Sequence, residues 1–110
     1  MTKLQLTIYL NETDRGAHAA AERGDTDVPL HETVVRRLLH AHIAGATVLR
    51  GVMGFGRHGK LHRTRLFGVS DDRPMVIVAV DEEERIRAVL PELRLLVTEG
   101  LITIHPVEVA

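Results

Sequence analysis

The residues with the clearest chemical potential lie between Gly45 and Lys60, in the run GATVLRGVMGFGRHGK. An apolar segment there leads straight into a loop rich in glycine and positive charge. From Thr33 to Ser70 the chain has no Asp or Glu, while Arg36, Arg37, Arg50, Arg57, Lys60, Arg63 and Arg65 are all cationic. A strand that delivers glycines and cations to one point suits an anion, and a phosphate on a small ligand is the expected one. The candidate binding residues are Gly54, Phe55, Gly56, Arg57 and Lys60. Arg57 offers a planar fork that can meet two phosphate oxygens at once. The competing reading is a glycine-rich hairpin with no ligand, in which glycine only relieves backbone constraint. For Phe55 an anchoring role in the core or at a subunit interface is favoured over stacking on a base.

Seven histidines raise the question of a metal. Zinc or copper wants three or four converging ligands. His40 and His42 are two apart near a helix end and do not face each other. His58 and His62 share the loop and are the one workable pair, so they stand as an alternative metal site. Catalysis has little to build on. There is no cysteine, no Gly-x-Ser-x-Gly and no carboxylate pair in an apolar setting, so an enzyme is not expected. Binding of single-stranded nucleic acid wants stacking platforms, and Tyr9, Phe55 and Phe67 are scattered. No nucleic-acid partner is expected.

The elements that must hold these residues can be read from periodicity. The 110 residues suit a single domain spanning 1–110. The absence of cysteine fits a reducing compartment, no apolar run reaches bilayer-spanning length, and the first residues lack a secretory pattern. A soluble cytoplasmic protein is expected. The net charge of −1 conceals a segregation: residues 1–32 carry −3, residues 33–70 carry +7 and residues 71–110 carry −5. Neighbouring elements could balance the basic tract across the folded surface, and the part from Arg57 to Arg65 is the most suggestive of an anionic partner.

Leu4, Leu6, Ile8 and Leu10 alternate with polar residues, which predicts a half-buried strand. Residues 11–28 show no apolar period and are expected to form a long mobile loop. Pro29 opens a helix, with Leu30, Val34, Leu38 and Ala41 on one stripe and Gly45 as its end. A second strand covers about 47–53, with Gly51 at a bulge or a close backbone approach. Residues 64–69 are a candidate returning strand. Met75 to Val80 is uninterrupted and apolar, as in a central strand. Asp81 is expected to cap the next helix, with Glu84 completing a capping box. Pro91 predicts a kink in that helix and Gly100 its end. Leu101 to Val109 forms the last strand, at an edge because of Pro106. The order βαββαβ is the ferredoxin-like α+β sandwich, with strands one and three central and parallel and both helices on one face. The other sheet face then lacks a cover, for which another copy of the chain is the expected candidate.

The block GATVLRGVMGFG, the later PMVIVAVD from Pro74, the Leu90-Pro-Glu-Leu run and Glu99-Gly-Leu-Ile-Thr resemble the domain-of-unknown-function 190 family over nearly the whole chain. That family looks like a branch of the PII-like proteins, which are ferredoxin-like homotrimers. The same block resembles the signalling PII proteins, whose second strand leads through a Gly-Phe-Gly-Arg turn into the T-loop. Here the turn is Gly54, Phe55, Gly56 and Arg57, and the T-loop-like segment is about 57–64. The resemblance implies an adenine-nucleotide site in clefts between subunits, with Arg57 and backbone N–H groups toward phosphate and Thr47 near the adenine. PII proteins also carry a second glycine- and lysine-containing loop before the last strand. In this chain that region, Thr98 to Thr103, has no Lys or Arg. The resemblance further implies a homotrimeric regulatory protein that senses a small anionic ligand and relays occupancy to a protein partner such as a membrane transporter or channel. No cofactor is certain, an adenine nucleotide being the candidate. The alternatives are a CutA-like metal-responsive trimer and a purely structural interaction module.

Overall fold

A computed structural model describes residues 2–15, 28–56, 62–63 and 72–110, with 62–63 described by their backbone. The elements are β1 (Lys3–Asn11), α1 (Leu30–His40), β2 (Ala46–Arg50), β3 (Met53–Gly54), β4 (His62–Arg63), β5 (Pro74–Glu82), α2 (Glu83–Leu96) and β6 (Leu101–Val107). One four-stranded sheet has the order β2-β5-β1-β6, and β3 pairs with β4 in a separate two-stranded ladder. The fold is the ferredoxin-like α+β architecture expected from the element order.

The directions of the strands correct one expectation. β1 and β5 are central, but they are antiparallel, as are all neighbouring pairs of this sheet. The geometry requires it. A crossover through α1 returns β2 in the direction of β1, and β5 comes back beside β2 and must oppose both.

Alternation then sorts the side chains. Leu4, Leu6, Ile8 and Leu10 of β1 and Met75, Ile77 and Ala79 of β5 are buried beneath the helices. They meet Leu30, Val34 and Leu38 of α1 and Ile86, Val89, Leu90, Leu93 and Leu96 of α2. Fully burying a side chain of this size contributes roughly 1.5–3 kcal/mol, so this layer supplies the main stabilising term. Among the described residues no helix covers the opposite face. Across it runs a registered row, Leu49–Val76–Tyr9–Leu101, contributed by all four strands. Tyr9, Leu49 and Leu101 are exposed there, at 45%, 54% and 55%.

α1 starts as expected, with the Pro29 carbonyl accepting from the N–H groups of Glu32 and Thr33. It stops at His40, well before Gly45, and Ala41 is exposed. His42 takes the left-handed conformation (φ 59°). Its N–H donates to the Leu39 carbonyl, and that of Ile43 donates to Leu38. This is the paired-bond termination that usually recruits glycine. The buried Ile43 and Leu38 side chains supply its hydrophobic contact. α2 runs through Pro91, which is exposed, and ends at Leu96.

Asp81 does not cap α2. It lies near the end of β5, buried, and its Oδ2 accepts the Ala44 N–H at 2.9 Å while Oδ1 accepts the Glu82 N–H at 2.6 Å. It ties the stretch after α1 to the central sheet. Burial pushes the carboxyl upward, but the Glu82 and Ala44 amides, with Arg85 and Lys3 nearby, outweigh it and hold the group below its ordinary 3.8. The stabilisation from this carboxylate is therefore complete above pH 3.8 and is lost as pH falls through the lower folded-state value. Asp81→Asn should cost about 1 kcal/mol at neutral pH. Its deficit against wild type, measured by urea denaturation, should shrink below about pH 4. A deficit that is constant down to pH 2.5 would remove the ionised state from this account.

The loop expected at 11–28 is held at its start. Asn11 N–H donates to Asp14 Oδ2 (2.9 Å), Glu12 N–H to the Arg73 carbonyl (2.8 Å) and Thr13 N–H to Asp72 Oδ1 (3.0 Å). Leu30 N–H donates to the Asp14 carbonyl (2.7 Å). Residues 16–27, the returning strand expected at 64–69 and most of the T-loop-like segment lie outside the described residues.

Candidate functional site

The expected second strand breaks in two at Gly51, and the break builds a cleft. Gly51 N–H donates to the Pro74 carbonyl at 2.7 Å. A Cβ on Gly51 would lie 2.7 Å from Pro74 Cγ, so the glycine marks a close approach, as its place in the strand suggests. Beyond it, β3 leaves the main sheet. Gly54, Phe55 and Gly56 come to one wall of a cleft of about 630 Å³ at the sheet end. Its other lining residues include Tyr9 to Asn11 of β1, Gly51, Pro74 to Val76 of β5, and Glu99 with Gly100.

Three of the predicted site residues are thus brought together. Phe55 is 74% exposed, which rules out a core role within one chain. Thr47 is not among them. It sits at the other end of β2, opposite Val78 on the open sheet face, in a shallow groove with Ala44, Gly45 and Val109. Arg57, Lys60 and His58 lie outside the described residues, and His62 is described by backbone alone. Among the described residues no cluster of three His, Cys, Asp or Glu could hold a metal.

The basic tract is partly balanced in the fold. Arg36 pairs with Glu32 (2.9 Å), Arg37 with Glu92 (2.7 Å) and Arg50 with Glu12 (2.7 Å). The first two lie on the helices and serve surface packing. The third lies beside the cleft, and no local sequence signal announces it because its partners are 38 positions apart. Tyr9, Glu99 and Gly100 were also outside the predicted set. The odd positions of β1 and the stretch just before the last strand are the signals that point to them.

Comparison with known proteins fits this geometry. The family model DUF190, described as an uncharacterized ACR, matches residues 3–109. The chain belongs to the DUF190 family. A UPF0166 protein of Methanocaldococcus jannaschii is 34% identical over 100 residues, covering 90% of this chain and 83% of that one. A UPF0166 protein of Aquifex aeolicus is 33% identical over 81 residues, covering 74% and 76%. Among solved structures, CPII of Thiomonas intermedia K12 superposes with a TM-score of 0.66 at 19% identity, over 100% of this chain and 97% of that chain. It is a nitrogen regulatory PII-like protein bound to ADP, AMP and bicarbonate. CutA1 of Oryza sativa superposes with a TM-score of 0.54 at 10% identity, over 100% and 84%. The DUF190 chain therefore has the PII-like fold. Among its described residues no helix is long and apolar enough to cross a membrane.

Proposed function

We propose that this DUF190 protein is a cytoplasmic PII-like regulator, not an enzyme, that binds a small anionic ligand, with an adenine nucleotide as the leading candidate. The binding unit is a homotrimer, with the cleft at each sheet end completed by a neighbouring copy. Occupancy is relayed to a protein partner, such as a membrane transporter or channel, through the segment that follows the glycine turn. Differential affinity of the ligand for one arrangement of that segment would supply the coupling.

The observation that carries this reading is the convergence of Gly54, Phe55 and Gly56 with Tyr9 and Gly100 on one cleft, immediately before Arg57. The wall offers flat apolar surface and glycine backbone, and the chain then supplies cations. Binding of ADP and AMP by the structurally similar CPII supports the choice of ligand.

Isothermal titration with AMP, ADP and ATP tests it. Arg57→Ala should cost roughly 1.5–3 kcal/mol, the range for charge-assisted hydrogen bonds. That is about ten- to a hundredfold in affinity. Lys60→Ala should cost less, and its effect should fade with added salt. If the wild type binds none of the three nucleotides, or Arg57→Ala binds them equally well, the phosphate role of the turn is wrong.

A further inference from the structure

The pair Glu12–Arg50 borders the cleft without lining it. Arg50 directly precedes Gly51, and Glu12 directly follows Asn11; Gly51 and Asn11 are both cleft residues. The Cα of Arg50 pairs across the sheet with that of Met75, another cleft residue. The cleft takes residues from both faces of the sheet end: Leu10 and Met75 from the helix side, which Arg50 shares by strand alternation, and Tyr9, Val76 and Leu101 from the other. Its guanidinium Nη2 meets Glu12 Oε1 at 2.7 Å, with side-chain exposures of 53% and 27%.

An ion pair as open as this holds its arginine weakly. Exposed pairs contribute about 0–1 kcal/mol, because both partners remain well solvated. A guanidinium also satisfies carboxylate and phosphate with the same fork. Arg50 can therefore exchange the Glu12 carboxylate for a ligand phosphate at small cost.

We propose that Arg50 is a second anion-binding residue of the cleft and that Glu12 is its internal competitor, occupying the guanidinium until a phosphate-bearing ligand arrives. The assignment rests on the anion-binding reading above. It also supplies a cation from the end of β2 where the region before β6 has none. The competing carboxylate sets a threshold: the ligand must offer more to the guanidinium than Glu12 does. A phosphate passes that threshold, whereas a neutral nucleoside gains nothing from it.

Titrations with ADP and with adenosine on wild type, Glu12→Gln, Arg50→Ala and the double variant decide the matter. Glu12→Gln should bind ADP about two- to fivefold more tightly, the factor expected from releasing a weak surface pair. Its affinity for adenosine should not change. Arg50→Ala should weaken ADP binding, and the double variant should match Arg50→Ala. Equal ADP affinity of Glu12→Gln and wild type, a gain that persists in the double variant, or an equal gain for adenosine would each overturn the assignment. Circular dichroism melts of the same proteins identify any change that comes from folding. If wild type binds ADP and only the Glu12 and Arg50 effects are missing, this inference fails alone. If wild type binds no nucleotide, it falls with the reading on which it rests.

Discussion

Val78→Asp is expected to convert the proposed trimer into a folded monomer. Val78 sits on the uncovered face of the sheet, in register with Thr47 on one side and Thr7 on the other. Beside that row runs Leu49–Val76–Tyr9–Leu101, a band of exposed or half-buried apolar side chains across four strands. Contiguous apolar surface of several hundred Å² is uncommon on a protein that works as a monomer. A carboxylate placed in that face would be stripped of water on assembly, at a cost of several kcal/mol per copy. Closed symmetry multiplies this cost by the number of subunits. Within one chain Val78 is only half-buried, so the variant should still fold. Val78→Thr, similar in shape and uncharged, should keep the assembly. Light scattering at micromolar concentration reads the result. A monomeric wild type, or a trimeric Val78→Asp, would refute assembly through this face.

The face itself is legible in the sequence, because β5 is apolar at every position from Met75 to Val80. A strand in a one-sided layer needs only alternate apolar residues. The surplus, Val76, Val78 and Val80, marks a second surface. The strand β1 and the start of α1 at Pro29 are equally plain, since each rests on local pattern. The misreadings share a different origin. Asp81 has the sequence context of a cap, but its carboxylate is claimed by Ala44, 37 positions away. Gly45 looks like a helix end, yet His42 takes the left-handed position because Ile43 then packs with Leu38. The antiparallel direction of β5 against β1 differs from the parallel pair expected, although the element order determines it. For the site, Gly54, Phe55 and Gly56 are readable from composition. Tyr9, Gly100 and the Glu12–Arg50 pair are not, because tertiary pairing brings them to the cleft.

The glycines around the cleft separate folding from binding, and they yield the last expected result. None of Gly51, Gly54, Gly56 and Gly100 has the left-handed backbone that would forbid a side chain. What distinguishes them is the space a Cβ would enter. On Gly100 it would press against the Tyr9 carbonyl and lie 2.7 Å from Val97 Cγ1. The first is backbone of the central strand β1 and cannot move cheaply. Gly100→Ala should therefore destabilise by about 1–3 kcal/mol, the usual cost of overpacking, and shift the denaturation midpoint accordingly. On Gly56 a Cβ would meet none of the described residues within 4 Å. The described residues make no demand for glycine there, so Gly56→Ala should leave stability within about 0.5 kcal/mol of wild type. If a ligand approaches the Gly56 backbone, the added methyl would intrude on it, and ADP affinity should fall about tenfold or more, by the same overpacking cost. Loss of ADP affinity in Gly56→Ala at unchanged stability would mark the glycine as a binding residue. Unchanged affinity and unchanged stability together would leave Gly56 with no role in either, and the ligand would have to be sought against Tyr9 and Gly100 instead.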